Sequence, residues 1–288
     1  MLSGWGLVVT APPMAYYGGK TRLAAKIAGL LPPHAHYIEP FAGGLSVLLA
    51  KQPSRMETVS DLDGHLMAFW KVLRDKPAEL ARACALTPHS REEYLAAKES
   101  LLDDLDDVER ARLIWVKLSQ GRGGTLQNTA WRHYVDPAGS SVGMPQYLNG
   151  YVDRMAACAE RLHHVSLESR PALDIIKQYG KVSTCCLYVD PPYLGSSRTR
   201  GGGTYRHEMR GHDEHLELLW ELMGCQAAVV VSGYPSALYD DALAGWDRVA
   251  IETMTGQAKS SNKARTEVLW SNREISDQRS LFDLEAGA

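Results

Sequence analysis

The sequence contains no hydrophobic run that approaches the length of a transmembrane helix; its most apolar stretches, such as residues 227–231, are only as long as a strand. The N-terminus lacks the basic region of a signal peptide. None of the five cysteines forms a Cys-x-x-Cys pair, which is typical of a reducing compartment. The formal net charge of −3 excludes binding to nucleic acid through net charge alone. We therefore expect a cytoplasmic protein without a membrane partner, which can bind nucleic acid only through local basic patches.

Two glycine-rich phosphate-binding motifs are also missing. Residues 18–21 (Gly-Gly-Lys-Thr) end like a Walker A loop, but Met14 occupies the position of its first glycine. No G-x-G-x-x-G fingerprint follows the strand predicted at residues 36–39, which disfavours NAD and FAD. The histidines and carboxylates match no metal template, so we expect no metal. These observations favour a nucleoside cofactor without pyrophosphate, and S-adenosylmethionine is the obvious candidate.

The most informative motif follows a predicted buried strand at residues 184–189, which two prolines end because they cannot donate to a ladder. The strand delivers Asp190 to the edge of a sheet, where its carboxylate and the carbonyl of Pro191 can face one donor. An exocyclic NH2 group fits this pair of acceptors. Pro192 keeps the turn rigid, and Tyr193 offers a flat face for a planar heterocycle, a contact worth roughly 1–3 kcal/mol per base. A Pro-Pro turn with a helix-capping Asp is the plainer interpretation of the same residues.

The alternation of strands and helices around this motif predicts an α/β fold. Residues 36–49 read as a short strand, a glycine-rich turn and an apolar helix, the first βα unit of a doubly wound sheet. Asp61 lies 22 residues after Glu39, at the end of the second predicted strand, where an acidic residue commonly binds ribose hydroxyls. A glycine turn near the N-terminus would place Tyr17 and Lys20 at the ligand. Between these elements, the sequence predicts helices at residues 65–73, 91–102, 109–117 and 149–163.

Three segments combine basic side chains with glycine or serine. The first, residues 119–134, adds amide and aromatic side chains, which suit phosphate anchoring and the reading of base edges. The second follows Tyr193 directly, and the third lies between residues 255 and 265 and contains no acid. Ordinary surface loops have similar compositions, so the residues alone leave both interpretations open. The candidate DNA contacts are Arg122, Gln127, Asn128, Arg132, Arg198, Arg200, Lys259 and Lys263.

Taken together and in this order, four motifs resemble the Dam-type, class alpha DNA adenine methyltransferases. They are residues 17–20 (Tyr-Gly-Gly-Lys), residues 39–44 (Glu-Pro-Phe-Ala-Gly-Gly), Asp61, and residues 190–193 (Asp-Pro-Pro-Tyr). Residues 266–272 are also similar to the family. The Tyr-Gly-Gly-Lys start is similar to that of many phage and prophage enzymes.

The resemblance implies a Rossmann-like S-adenosylmethionine-dependent methyltransferase fold with an inserted helical target-recognition domain. By this comparison, the catalytic domain is discontinuous and comprises residues 14–72 and 161–272. The insert spans residues 73–160, and residues 1–13 and 273–288 are flexible termini.

The resemblance also implies roles for individual residues. Asp61 is expected at the ribose of the cofactor, and Phe41 near its adenine or sulfonium end. Asp63 is a departure, because many relatives have Asn there. The expected cofactor contacts are Tyr17, Gly19, Lys20, Glu39, Pro40, Phe41, Gly43, Asp61 and Asp190, and the expected catalytic residues are Asp190, Pro191, Pro192 and Tyr193.

The implied activity is methylation of the exocyclic amine of an adenine that is flipped out of duplex DNA. The enzyme would act as a monomer in a bacterial or phage-infected cell, in restriction–modification or a related role. An RNA adenine methyltransferase and a catalytically idle DNA-binding protein on the same fold are the alternatives. Retention of Lys20 together with Asp190 favours an active enzyme, whereas RNA remains open as a substrate.

Overall fold

The central element of the protein is a seven-stranded sheet, as seen in a computed structural model that describes residues 9–136, 142–194, 209, 211–254 and 264–275. The sequence predicts the positions of most of these strands because each is a short apolar run. The strands are β1 (His36–Glu39), β2 (Met56–Ser60), β3 (Val165–Glu168), β4 (Cys185–Val189), β5 (Ala228–Gly233), β6 (Asp247–Met254) and β7 (Ala264–Ser271).

The strand order is β3-β2-β1-β4-β5-β7-β6. The first five strands pair in parallel, and β7 runs antiparallel to both β5 and β6. The chain order reverses between β1 and β4, which are neighbours, so their carboxyl ends form the topological switch point of the sheet. In open α/β sheets, ligands bind in the crevice at such a point.

Helices cover both faces of the sheet, and its central strands are therefore buried on both sides. Along β4, Cys185, Leu187 and Val189 face one hydrophobic cluster, whereas Cys186 and Tyr188 face the other. The helices are α1 (Ala24–Gly29), α2 (Ser46–Ala50), α3 (Gly64–Asp75), α4 (Pro77–Ala85), α5 (Arg91–Glu99), α6 (Asp107–Gln120), α7 (Met144–Val152), α8 (Met155–Leu162), α9 (Ala172–Tyr179), α10 (His212–Met223) and α11 (Ala237–Ala242).

The single helix predicted at residues 149–163 is wrong, because the structure divides this region between α7 and α8. The side chain of Arg154 ends α7: its Nε donates to the carbonyl of Gly150 at 2.7 Å, and its guanidinium also donates to the carbonyl of Pro12 at 2.8 Å. The amide of Arg154 bonds to Tyr151 rather than to Gly150, and the helical ladder breaks there.

The helices of the predicted insert pack directly onto the sheet domain. The core cluster that contains Tyr37 of β1 also contains Trp115 of α6 and Leu148 of α7. Trp115 Nε1 donates to the carbonyl of Pro13 at 2.9 Å, and the amide of Thr10 donates to Leu49 at 3.0 Å. The hydrogen-bonded part of the chain therefore begins before Met14, and the assignment of residues 73–160 to target recognition stays a prediction.

Among the described residues, no helix combines the length and the apolar character needed to cross a membrane.

Candidate active site

A cavity with a volume of about 430 Å³ lies at the switch point. This volume is typical of a small-molecule site. Its walls come from the segment before α1, the turns after β1 and β2, the end of β4, and α10. All nine residues that the resemblance assigns to the cofactor line it, namely Tyr17, Gly19, Lys20, Glu39, Pro40, Phe41, Gly43, Asp61 and Asp190.

Asp61 joins two of these turns. One carboxylate oxygen accepts from the amide of Gly43 at 2.9 Å, and the other accepts from the amide of Asp63 at 2.9 Å. Carboxylate oxygens are also the acceptors that a ligand hydroxyl requires. Asp63, the departure from the family pattern, caps α3 by accepting from the amide of His65 at 3.0 Å.

Tyr16 forms part of the same wall, although none of the sequence motifs includes it. Gly43 has a φ of +48°, and a Cβ at this position would lie 2.9 Å from the ring of Tyr16. Trp70 Nε1 holds the turn from the other side by donating to the carbonyl of Gly43 at 3.1 Å. The turn after β1 therefore requires glycine both for its backbone conformation and for the approach of Tyr16.

Glu39 is buried at the end of β1. Its Oε1 accepts from the hydroxyl of Tyr37 at 2.7 Å and from the amide of Leu48 at 2.8 Å. Burial raises the pKa of Glu39 to about 8, although both hydrogen bonds oppose this shift. The cavity therefore contains a carboxyl group that is largely protonated at neutral pH when the cofactor is absent.

Replacing Glu39 with Gln should remove a pH dependence from the stability of the cofactor-free protein. The folded state holds the proton with a pKa of about 8 against an ordinary value of 4.5, so folding stability falls as pH rises through this window. We expect the stability of Glu39→Gln relative to wild type to increase by up to about 1.4 kcal/mol per pH unit between these values. Urea unfolding of both proteins at several pH values measures this difference in stability. A difference that stays the same at every pH would contradict the prediction.

Lys20 lies at the centre of a buried cluster of charged groups, with a side chain that is 7% exposed. Its Nζ donates to the two oxygens of Asp190 at 2.7 and 2.8 Å, and it makes a short hydrogen bond to the hydroxyl of Tyr193. Glu267 Oε1 lies 3.5 Å away. Despite the opposing effect of burial, Asp190 and Glu267 raise the pKa of Lys20 well above its usual range, so the ammonium stays charged.

Asp190 and Tyr193 each have a further partner that sequence reasoning did not select. Ser232 Oγ, on β5, donates to Asp190 Oδ1 at 2.9 Å. The hydroxyl of Tyr193 donates to Glu267 Oε1 at 3.1 Å, and its ring lies 4.3 Å from that of Tyr234. Pro192 lines the large cavity, whereas Pro191 and Tyr193 line a smaller one of about 20 Å³ beside it.

The glycine-rich basic loop folds as a hairpin onto the site. Gly121 and Trp131 form an antiparallel bridge, and the carbonyl of Gly124 accepts from the amide of Tyr17 at 2.7 Å. Arg122 and Asn128 are exposed on this hairpin, and Gln127 and Arg132 are half-buried. The other candidate DNA contacts, Arg198, Arg200, Lys259 and Lys263, lie outside the described residues.

No group of three or more potential metal ligands is present in the part of the chain that the structure describes.

The switch-point cavity, its acidic and aromatic walls, and the antiparallel β7 between β5 and β6 define the class of Rossmann-like, S-adenosylmethionine-dependent methyltransferases. A family model described as D12 class N6 adenine-specific DNA methyltransferase matches residues 16–227. The chain belongs to this family. It is therefore an adenine-specific DNA methyltransferase whose methyl donor is S-adenosylmethionine, as the motifs of the sequence predict.

Two individual proteins are also similar to the chain. The Type II methyltransferase M1.LlaDCHI of Lactococcus lactis subsp. cremoris is 26% identical over 279 residues, which cover 91% of this chain and 95% of that protein. A solved structure of a SAM-dependent methyltransferase from Agrobacterium tumefaciens matches 88% of this chain at 11% identity, with a TM-score of 0.37. The chain spans 60% of the length of that second protein.

Proposed function

We propose that the enzyme methylates an adenine that is flipped out of duplex DNA into the Asp190 end of the switch-point cavity. The observation that supports this most strongly is the position of Asp190, which lines the cavity at the carboxyl end of β4. Adenine in a duplex hides its amine in a base pair, so the base must leave the stack, at a cost of a few kcal/mol. Stacking on Tyr193 would offset part of this cost.

The remainder of the cavity is proposed to hold the cofactor. Its chemistry suits the ligand: Asp61 places a carboxylate on the cavity wall for ribose hydroxyls, and Phe41 offers an aromatic wall. Glu39 and Asp190 provide carboxyl groups for a cationic ligand. When bound, S-adenosylmethionine would supply an electrophilic methyl group on its sulfonium sulfur. The adenine amine would take this group and release one proton, and S-adenosylhomocysteine would be the leaving group.

Residues 190–193 are proposed to make the adenine amine a better nucleophile. The lone pair of this nitrogen is delocalised into the ring, which makes the free amine unreactive. Hydrogen bonds from its two N–H groups to Asp190 and to the carbonyl of Pro191 favour a pyramidal nitrogen with a localised lone pair. The protein would contribute chiefly by positioning and electrostatics.

DNA is proposed to lie across the hairpin at residues 121–131 and the basic segments near residues 198–200 and 259–263. The exposed guanidinium of Arg122 and the hydrogen bond from Tyr17 to Gly124 support this placement, since they connect a basic surface to the cavity.

We propose a monomer, because one chain holds every residue assigned to the reaction. DNA as substrate favours the cytoplasm of a bacterial or phage-infected cell, with restriction–modification as the role.

Replacing Arg122 with Gln should weaken DNA binding and reduce its salt dependence. Each lost phosphate contact lowers the slope of log affinity against log salt by about 0.9. Arg55→Gln is the matched control, because Arg55 is exposed just before β2, at the opposite edge of the sheet. Fluorescence anisotropy of a labelled duplex at several salt concentrations measures both variants. Equal affinity and slope for Arg122→Gln and wild type would place the DNA elsewhere.

The choice of duplex DNA is tested by a comparison of substrates. Sequencing of DNA that the enzyme has modified would give the methylated sequence, and that sequence would then be prepared as duplex DNA, single-stranded DNA and RNA. We expect the fastest methyl transfer to the duplex. A faster reaction with RNA would overturn the proposal in favour of an RNA adenine methyltransferase.

A further inference from the structure

Glu267 lies in the buried charge cluster, but neither the sequence analysis, which includes it only in the family-like residues 266–272, nor the proposed chemistry gives it a role. It is 5% exposed on β7, the antiparallel strand that pairs with β5. Its Oε1 lies 3.5 Å from Lys20 Nζ and accepts from the hydroxyl of Tyr193 at 3.1 Å. The buried ammonium of Lys20 therefore lies between two carboxyl groups, those of Asp190 and Glu267.

The contacts of Asp190 conflict with the role proposed for it. Lys20 donates to both of its oxygens, and Ser232 donates to one of them. These bonds use three of about four lone-pair positions of the carboxylate. A target amine that approaches Asp190 must therefore compete with the ammonium of Lys20. The positive charge also makes the carboxylate a weaker acceptor for the amine.

Resting on the function proposed above, we propose that Glu267 is a positioning residue that takes the ammonium of Lys20 when Asp190 accepts the target amine. The ammonium already lies near both carboxyl groups, so a small side-chain movement completes the exchange. The hydroxyl of Tyr193 hydrogen bonds to Lys20 and to Glu267 and links the two. The charge of Lys20 stays paired throughout, which avoids the cost of a buried unpaired ion.

This exchange requires an ionised Glu267. Burial raises the pKa of Glu267 to about 7, with Lys20 lowering it and Asp190 raising it. Among the described residues, the titratable groups that face Glu267 are Lys20, Asp190, Tyr193 and the buried Tyr188. A protonated Glu267 attracts the ammonium less strongly. The rate of methyl transfer should therefore rise with pH up to about 7 and then level off.

The test is the pH profile of Glu267→Gln, measured as single-turnover methyl transfer to DNA with saturating cofactor between pH 6 and 9. For wild type we expect the rate to rise about tenfold per pH unit below the inflection and to become constant above it. Glu267→Gln should be at least about tenfold slower at high pH, should lack the inflection, and should bind the cofactor normally. Glu252→Gln, the same change at an exposed position of β6, should keep the wild-type profile.

Other results would overturn the inference. The inference is contradicted if Glu267→Gln methylates DNA at the wild-type rate with the wild-type inflection. It is also contradicted if Glu267→Gln loses only folding stability or cofactor affinity. If Glu267→Gln fails to fold, Glu267→Asp replaces it, since Asp keeps an ionisable group on a shorter side chain. It should be slower than wild type and retain an inflection, and a profile without one would contradict the role. Failure of the proposed function is distinguishable, because wild type itself would then place no methyl group on adenine.

Discussion

Replacing Asp190 with Ala should abolish methyl transfer while the protein still binds S-adenosylmethionine. The carboxylate is the acceptor that we assign to the target amine, and the other cofactor-lining residues are unchanged. Loss of one preorganised polar group from a reaction site typically costs about 10²–10³ in rate, so we expect at least this loss. The ammonium of Lys20 keeps Glu267 as a partner, which limits the damage to folding.

Two measurements on this variant separate chemistry from binding. Transfer of labelled methyl groups to DNA measures the chemical step. Calorimetric titration with S-adenosylmethionine measures cofactor binding. Asp190→Asn is the matched control for shape, because its amide keeps one acceptor oxygen without the charge; it should retain more activity than Ala and far less than Asp. Wild-type activity in Asp190→Ala would remove the role assigned to this residue.

Replacing Lys20 with Met should destabilise the folded protein by about 3–5 kcal/mol at pH 8, because it leaves buried carboxylates without their cation. The loss should be smaller at pH 6. The pKa of Glu267 is already raised to about 7 by burial, so at the lower pH this group is largely protonated and needs no partner. Removal of Lys20 would raise the pKa further, which acts in the same direction.

Urea unfolding at pH 6 and pH 8 measures this effect. Lys71→Met is the control, since Lys71 is exposed on α3 and its loss should change stability little at either pH. Equal destabilisation of Lys20→Met at the two pH values would show that the carboxyl groups around Lys20 do not carry the effect.

The parts of the structure that the sequence predicts best are those in which local pattern and chemistry coincide. The buried run before Asp190 is β4, and the apolar run that ends at Glu39 is β1. Both strands end in residues with a special backbone requirement, such as the prolines after Asp190 and the positive φ of Gly43. Parallel pairing of β1 and β4 brings the carboxyl ends of these two strands together. The motifs that follow each strand therefore line the same cavity.

Other features depend on contacts between distant parts of the chain. Glu267 reaches Lys20 only because β7 is inserted between β5 and β6, and the sequence analysis missed β6 altogether. The break between α7 and α8 depends on a hydrogen bond from Arg154 to Pro12, which no helical periodicity reveals. Tyr16 likewise acquires its place from the packing of Gly43 against its ring. The charge cluster around Lys20 thus required the tertiary structure.

The most direct test of the account is transfer of a labelled methyl group from S-adenosylmethionine to unmethylated duplex DNA, followed by digestion of the DNA to nucleosides. Asp190→Ala is run alongside wild type. We predict that the label appears in N6-methyl-2′-deoxyadenosine with wild type and is absent with the variant. Label in another nucleoside, or equal labelling by the two proteins, would contradict the assignment of adenine methylation to this site.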